Sequence, residues 1–181
     1  AAIQDAIKSL GLDAPLYMSQ NDGTLMDAEF ASRFPVLTIS SGPTNSMRGA
    51  AFLSGVSDGI VVDVGGTSTD VGALVKGFPR EAAVAVSIAG IRTNFRMPDV
   101  LSIPLGGGTV IQKKPFSIGP NSVGYRLTEE ALVFGGSTLT GTDIAVAAGL
   151  AQVGDPTLLQ GLERSFLEQA SQEIQRRMET A

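Results

Sequence analysis

The chain has 181 residues, 43% of them hydrophobic and 17% charged, which supplies apolar side chains for one sizeable core and argues against intrinsic disorder. Its net charge of -5, with Lys and Arg scattered, argues against a nucleic-acid surface, and no apolar run reaches the roughly 20 residues that would cross a bilayer. Cys and His are both absent, which removes disulfides, Ser-His-Asp and Cys-His catalysis, and zinc sites of the usual nitrogen and sulfur type. What remains is carboxylates, hydroxyls, backbone amides and a few cations, an inventory suited to phosphate and magnesium.

No basic stretch precedes an apolar segment at the N-terminus, so a signal peptide is not expected and a cytoplasmic setting is the default. Ile3, Ile7 and Leu10 are spaced for one helical face, with Gly11 where that helix would stop. A short apolar run from Leu16 to Met18 leads into Asn21-Asp22-Gly23, a turn signal. A short helix is expected near Ala28 to Arg33, then a buried strand over Val36-Leu37-Thr38-Ile39. Ser40-Ser41-Gly42-Pro43 reads as the start of a helix whose body is Ala50-Ala51-Phe52-Leu53 and whose end is Gly55.

The middle of the chain is rich in β-prone runs: Ile60 to Val64, Val71 to Val75, Ala83 to Ile88, Ile91 to Phe95 and Val100 to Ile103. The stretch from Gly106 to Gly141 is dense in glycine and gives no clear element pattern. Thr142-Asp143 predicts the cap of a short helix through Ala148, and Asp155-Pro156 the start of another. Leu159, Leu162, Phe166, Ala170, Ile174 and Met178 recur at three- and four-residue steps, predicting one amphipathic final helix. The order is helices, an antiparallel strand block, then helices: a mixed α/β lobe.

The chemistry concentrates in one segment. An apolar strand, Ile60-Val61-Val62, runs into Asp63, then through Val64 into Gly65-Gly66-Thr67-Ser68-Thr69, then Asp70 and a second strand. Gly65 and Gly66 let the backbone turn tightly and approach an anion closely. Successive amides in such a turn form an anion-binding nest, and Thr67, Ser68 and Thr69 add hydroxyls. Asp63 is placed to hold hydrated magnesium or to orient water, with Asp70 a second candidate carboxylate. The same residues also make an ordinary β-hairpin in which Gly65-Gly66 does no more than form the turn. Spacing alone leaves both readings open. Two other phosphate loops are excluded: no Gly-Lys-Ser/Thr occurs, and Gly106-Gly107-Gly108 is followed by Ile111 where a dinucleotide fingerprint needs glycine.

The run Asp63-Val64-Gly65-Gly66-Thr67-Ser68-Thr69-Asp70 resembles the phosphate hairpin of the hydantoinase A/5-oxoprolinase family, within the actin, Hsp70 and sugar-kinase superfamily. Asp22-Gly23 with Leu25-Met26, Ser41-Gly42-Pro43 with Gly49-Ala50-Ala51, Gly106-Gly107-Gly108 and Thr142-Asp143 follow the family's order, so the resemblance covers most of the chain. It implies an actin-like, ribonuclease H-like α/β lobe, and an ATP-dependent amidohydrolase that opens cyclic amides such as hydantoins or 5-oxoproline after phosphorylating the amide oxygen. It also implies magnesium and ATP as cofactors. Asp63 would be the magnesium or water-orienting carboxylate and Asp70 a second catalytic one. Gly65, Gly66, Thr67, Ser68 and Thr69 would cradle the phosphates, and Gly106, Gly107 and Gly108 would face the nucleotide or substrate cleft.

The family further implies a B-type subunit or domain as partner, and a second lobe that completes the clamp on the nucleotide. With one phosphate hairpin in residues 1–181, the expectation is a partial domain of a longer protein, inactive by itself. The sequence departs from the family pattern at Thr24, at Thr44-Asn45-Ser46 and at Thr109-Val110, differences that bear on subfamily and substrate and leave the hairpin intact.

Weaker signals have simpler explanations. Gly55-Val56-Ser57-Asp58-Gly59 has the spacing of a nucleophile elbow, but its strand and helix come in the reverse order and no His exists to act as base. Arg92, Arg96, Lys113 and Lys114 are expected as solvated strand-edge charges, and Glu173 with Arg176 and Arg177 as a solvated helix face. Two functions of other classes stand beside the amidohydrolase: a small-molecule kinase keeping the same hairpin, which would release a stable phosphorylated product, and a non-catalytic actin-like assembly module, which would polymerise with ATP without turning over a cyclic amide.

Overall fold

In the computed structural model, residues 2–83, 87–88, 90–92 and 97–180 are described, and the chain sorts into two units: Ala1–Val61 with Gly72–Val100, and Val62–Val71 with Leu101–Ala181. In the first unit, helix α1 (Ala2–Ser9) has the expected apolar spacing yet buries no residue, and Ile3 is 56% exposed. Strands β1 (Tyr17–Ser19) and β2 (Leu25–Asp27) pair antiparallel with Met18 opposite Met26. The expected turn joins them: Gly23 has φ 82°, and the Asp22 carboxylate accepts the Thr24 N–H at 2.8 Å. Asp27 caps α2 (Ala28–Arg33) by accepting from the Phe30 N–H at 2.7 Å.

The buried strand expected over Val36 to Ile39 is not formed. Pro35 sits in the first turn of a 3-10 helix spanning Pro35–Thr38, and none of its residues is buried. Proline's fixed φ and missing N–H suit that turn better than a ladder, and four apolar-leaning residues are too few to override it. Helix α3 (Ser41–Ser54) follows and ends at Gly55 with φ 72°, as its sequence predicts. Met47 and Ala51 on α3 form the small core of this unit with Leu74.

Strands β3 (Gly59–Val64), β4 (Thr69–Val75) and β5 (Phe78–Pro79) lie in the order β3-β4-β5, and β8 (Val100–Ile103) also pairs with β4. Two-residue strands β6 (Ser87–Ile88) and β7 (Ile91–Arg92) pair with each other. The longer runs expected from Ala83 to Ile88 and from Ile91 to Phe95 fall partly outside the described residues, as does Arg96.

The second unit resolves the glycine-dense stretch. Strands β9 (Thr109–Lys113) and β10 (Phe116–Ser122) form an antiparallel hairpin with Ile118 opposite Ile111 and an irregularity before Ser122. Helices α4 (Leu127–Glu130), α5 (Gly141–Ala147) and α6 (Arg164–Glu179) follow. One core gathers Leu105, Ile111, Ile118, Ile144 and Ala170, and a second gathers Ala131, Val133, Val146 and Leu159.

Two sequence expectations are corrected in this unit. The cap of α5 is Thr140, not Thr142-Asp143: the Thr140 hydroxyl and the Asp143 carboxylate form a reciprocal capping box, with Asp143 inside the first turn. The amphipathic pattern starting at Leu159 is two elements. Asp155 caps a 3-10 helix at Pro156–Leu159 that feeds the second core, and α6 begins only at Arg164. Gly161 lies in the break between them. Among the described residues, no helix is long and apolar enough to cross a membrane.

The architecture is a mixed α/β one, antiparallel sheets flanked by helices.

Candidate functional site

The loop from Gly65 to Ser68, the glycine triplet and the turn after β10 all belong to the second unit. A two-residue turn at Gly66-Thr67 ordinarily closes with the Ser68 N–H on the Gly65 carbonyl. Here only the opposite bond is made, Gly65 N–H to the Ser68 carbonyl at 2.9 Å. The Gly65 carbonyl accepts instead from the Gly107 N–H at 3.0 Å, and the Gly66 carbonyl from the Gly108 N–H at 2.7 Å. The Ser122 hydroxyl donates to the same Gly66 carbonyl at 3.1 Å. N–H and C=O point in opposite directions across a trans peptide. Turning the Gly65 and Gly66 carbonyls toward the triplet therefore turns the Gly66 and Thr67 amides away from it. Among the described residues, the N–H groups of Gly66, Thr67 and Ser68 meet no acceptor. Three successive unpaired donors on a glycine turn are the donor set that an anion-binding nest uses.

The triplet approaches this closely because it lacks side chains. A Cβ on Gly106 would stand 2.5 Å from the Gly65 carbonyl oxygen, and one on Gly108 2.8 Å from the Gly66 oxygen. The amides of all three glycines are engaged inside the fold, that of Gly106 with the Thr109 hydroxyl at 2.7 Å. Their place is against the turn, with the Gly107 and Gly108 amides directed into it. Gly106 and Gly107 also border a cavity of about 350 Å³ whose other walls include Val64, Leu105, Ala145, Ile174 and Met178, an apolar recess. Thr142 rests on the triplet, its N–H and hydroxyl both donating to the Gly107 carbonyl, at 2.8 and 3.0 Å.

The remaining sequence candidates separate by environment. Asp63, near the end of β3, is half-buried, and among the described residues its carboxylate has no hydrogen-bond or ion-pair partner. Asp70 is also half-buried, but its carboxylate accepts from the Ser102 hydroxyl on β8. Thr67 is exposed and Ser68 half-buried, whereas Thr69 is 1% exposed and its hydroxyl donates to the Leu105 carbonyl at 2.7 Å. The Thr69 hydroxyl thus ties β4 to the segment before the triplet. Nothing in the sequence marks Ser122 or Gly124: Ser122 lies 56 residues from Gly66, and no local pattern links them.

Asp143, in the motif Thr142-Asp143, is fully buried, and its carboxylate accepts from the N–H groups of Val133 and Thr140, each at 2.7 Å, and from the Thr140 hydroxyl at 2.9 Å. It is a structural anchor. Glu173, expected on a solvated face, is held down to about 2 from 4.5 by hydrogen bonds from Arg176 first and Arg177 second, and Arg177 reaches on to the Ile118 carbonyl at 2.9 Å.

The donor set fits a phosphate-bearing cofactor: three unpaired amides, two of them turned outward, the Thr67 and Ser68 side chains, and one free carboxylate. Among the described residues, no group of three or more acidic side chains is gathered into a metal cage. A magnesium ion that arrives with phosphate ligands and keeps its waters needs only one or two carboxylates, and Asp63 is available for that.

Comparison with known proteins places the chain. It is 28% identical over 157 residues to the acetophenone carboxylase gamma subunit of Aromatoleum aromaticum, covering 82% of this chain and 21% of that protein. It is 28% identical over 165 residues to the caprolactamase subunit alpha of Pseudomonas jessenii, covering 88% and 23%. The structure of that ATP-dependent caprolactamase superposes with a TM-score of 0.54 at 24% identity over 84% of this chain and 23% of that one. A nucleotide-free acetone carboxylase superposes with a TM-score of 0.62 at 21% identity, over 87% and 24%. The chain thus spans between a fifth and a quarter of the length of these relatives. The sequence profile of the hydantoinase/oxoprolinase family matches residues 1–179, and the chain belongs to that family.

Proposed function

We propose that this chain supplies the phosphate-binding hairpin of an ATP-dependent enzyme that activates a cyclic amide of the hydantoin, 5-oxoproline or lactam type for hydrolysis. The observation that carries the reading is the turn itself: the Gly66, Thr67 and Ser68 amides have no acceptor within the described chain, and the unpaired Asp63 carboxylate lies near the end of the strand that feeds them. Family membership and the named caprolactamase support the substrate class.

Magnesium–ATP bound there would supply a phosphoryl group to the amide oxygen, converting a resonance-stabilised amide into an electrophile that water opens. The residues' own contribution is positioning and charge neutralisation, which are the main contributions to catalysis of phosphoryl transfer. The three amides would hold phosphate oxygens, the Thr67 and Ser68 hydroxyls would add donors, and Asp63 would hold the ion through water. Gly107 and Gly108 would act by holding the turn, and Gly106 and Gly107 by walling the apolar recess, rather than by donating to phosphate. Asp70, tied to Ser102, would order the strand behind the turn. The gamma and alpha designations of the two relatives support a partner subunit; that this partner is of the B type, and that an actin-like clamp is completed elsewhere in the enzyme, belong to the same proposal.

A second reading has its own support, because two of the named relatives are carboxylases. In it the same turn serves ATP-dependent carboxylation of a ketone. Both are tested by phosphate release from magnesium–ATP in the complete enzyme, with hydantoin, 5-oxoproline or caprolactam in one series and acetone or acetophenone with bicarbonate in the other. Ring-opened product is the expected result, abolished by Asp63→Ala. Carboxylated product alone would establish the second reading, and ATP turnover indifferent to both series would remove both.

A further inference from the structure

Ser122, at the end of β10, makes two hydrogen bonds with its hydroxyl oxygen. It accepts the Gly124 N–H at 3.0 Å and donates to the Gly66 carbonyl at 3.1 Å. A serine hydroxyl carries one proton, so accepting from Gly124 leaves that proton directed at Gly66. We infer that Ser122 is a positioning residue for the anion-binding turn: its hydroxyl fixes the Gly66–Thr67 peptide with the carbonyl inward and the Thr67 amide outward. The inference rests on the phosphate-binding reading for its purpose and on these bonds for its geometry.

Each outward amide depends on what holds the carbonyl of its own peptide. The Gly65–Gly66 peptide is held by one donor, the Gly107 N–H. The Gly66–Thr67 peptide is held by two, the Gly108 N–H and the Ser122 hydroxyl, and only the second comes from a side chain. Restraint matters here because Gly66 lacks the Cβ that would limit rotation of that peptide. If it flipped, a carbonyl would replace the amide in the concavity, and an anion would meet a negative dipole. Ser122 is itself held from below: the Val123 N–H donates to the Gly108 carbonyl at 2.9 Å, joining the turn after β10 to the triplet that bears on the same carbonyl.

The test uses this chain, labelled with 15N, and two probes, magnesium pyrophosphate and magnesium–ATP. Ser122→Ala is expected to weaken binding of both about fivefold, the value of one neutral hydrogen bond, and to shrink the shift of the Thr67 amide resonance on titration. Ser122→Thr, which keeps the hydroxyl, is expected to restore both. A residue that only stabilises the end of β10 would lower the melting temperature without changing the Thr67 signature. Unchanged affinity and unchanged Thr67 shifts in Ser122→Ala would therefore overturn the inference while leaving the phosphate reading in place.

If the wild-type chain binds neither probe, the titration is repeated in the complete enzyme, where absence of binding removes the phosphate reading, and the positioning claim is still decided without ligand. The Thr67 amide should exchange quickly with solvent in wild type and Ser122→Thr, and should slow or split into two resonances in Ser122→Ala. An identical Thr67 amide in all three would overturn it. Ser122→Cys, of similar volume and weaker as a donor, replaces Ser122→Ala if that variant does not fold.

Discussion

The N–H of Gly108 donates to the carbonyl of Gly66 at 2.7 Å, so two glycines 42 positions apart in the sequence are joined backbone to backbone, and a Cβ on Gly108 would stand 2.8 Å from that same carbonyl oxygen. The tightest approach of the triplet is at Gly106, where a Cβ would sit 2.5 Å from the Gly65 oxygen. Backbone cannot yield as the end of a flexible side chain does. Gly106→Ala is therefore expected to destabilise the fold by about 2–3 kcal/mol through overpacking. It should also displace the turn, so that phosphate affinity falls together with stability. Urea denaturation beside a pyrophosphate titration checks this, and an alanine variant of native stability would contradict the close packing.

Thr69 separates a structural hydroxyl from a ligand-binding one. Its side chain is buried and donates to the Leu105 carbonyl at 2.7 Å. Thr69→Val keeps the shape and removes the donor, leaving that carbonyl without its partner, and should cost about 1–2 kcal/mol. Affinity for magnesium–ATP should be nearly unaffected at saturating fold stability, whereas Thr67→Val should weaken binding with little change in denaturation midpoint. The reverse pattern would make Thr69 the phosphate contact.

The sequence discloses local features better than distant ones. Asp22-Gly23, the Gly55 stop, the helix over Ala28 to Arg33 and strands β3, β4 and β8 are visible because caps, positive-φ glycines and short β-prone runs act within a few residues. Helical spacing from Leu159 onward continues across Gly161 by coincidence, and only packing separates the two pieces. The turn residues Gly65 to Ser68 were legible from their composition. What fixes their orientation was not, since Ser122, Gly107 and Gly108 reach the turn only through tertiary hydrogen bonds. Thr142-Asp143 drew attention as a motif, and the structure divides it: Thr142 bears on Gly107, while Asp143 faces inward to cap and anchor.

Asp143 carries the larger consequence for folding. Its buried carboxylate gathers the N–H groups of Val133 and Thr140 and the Thr140 hydroxyl, so a charge-assisted network ties α5 to the 3-10 turn at Leu132–Phe134. Asn at this position would keep one acceptor oxygen and aim an NH2 group at a neighbouring donor. Asp143→Asn is expected to cost about 2–4 kcal/mol, with the second core losing order first. Denaturant midpoints measure the cost, and backbone amide exchange at Val133 locates it. A cost below the scatter of surface substitutions would mean the network is dispensable.

Acid stability should report on Glu173. The hydrogen bonds from Arg176 and then Arg177 lower its folded value from 4.5 to about 2. A group with a depressed folded value contributes stability in full above its unfolded value, and loses that contribution as pH falls from there toward the folded one. The window is therefore pH 4.5 down to about 2. Other carboxylates titrate in the same range, so the informative quantity is the difference between wild type and Glu173→Gln. At pH 6 the variant should melt at a lower temperature than wild type. As pH falls through the window the two melting curves should converge, because protonation removes in wild type what the substitution has already removed. High salt should narrow the gap at pH 6, since these bonds are solvent-accessible. A gap that stayed constant from pH 6 to pH 2.5 would mean that Glu173 acts through packing and not through its charge.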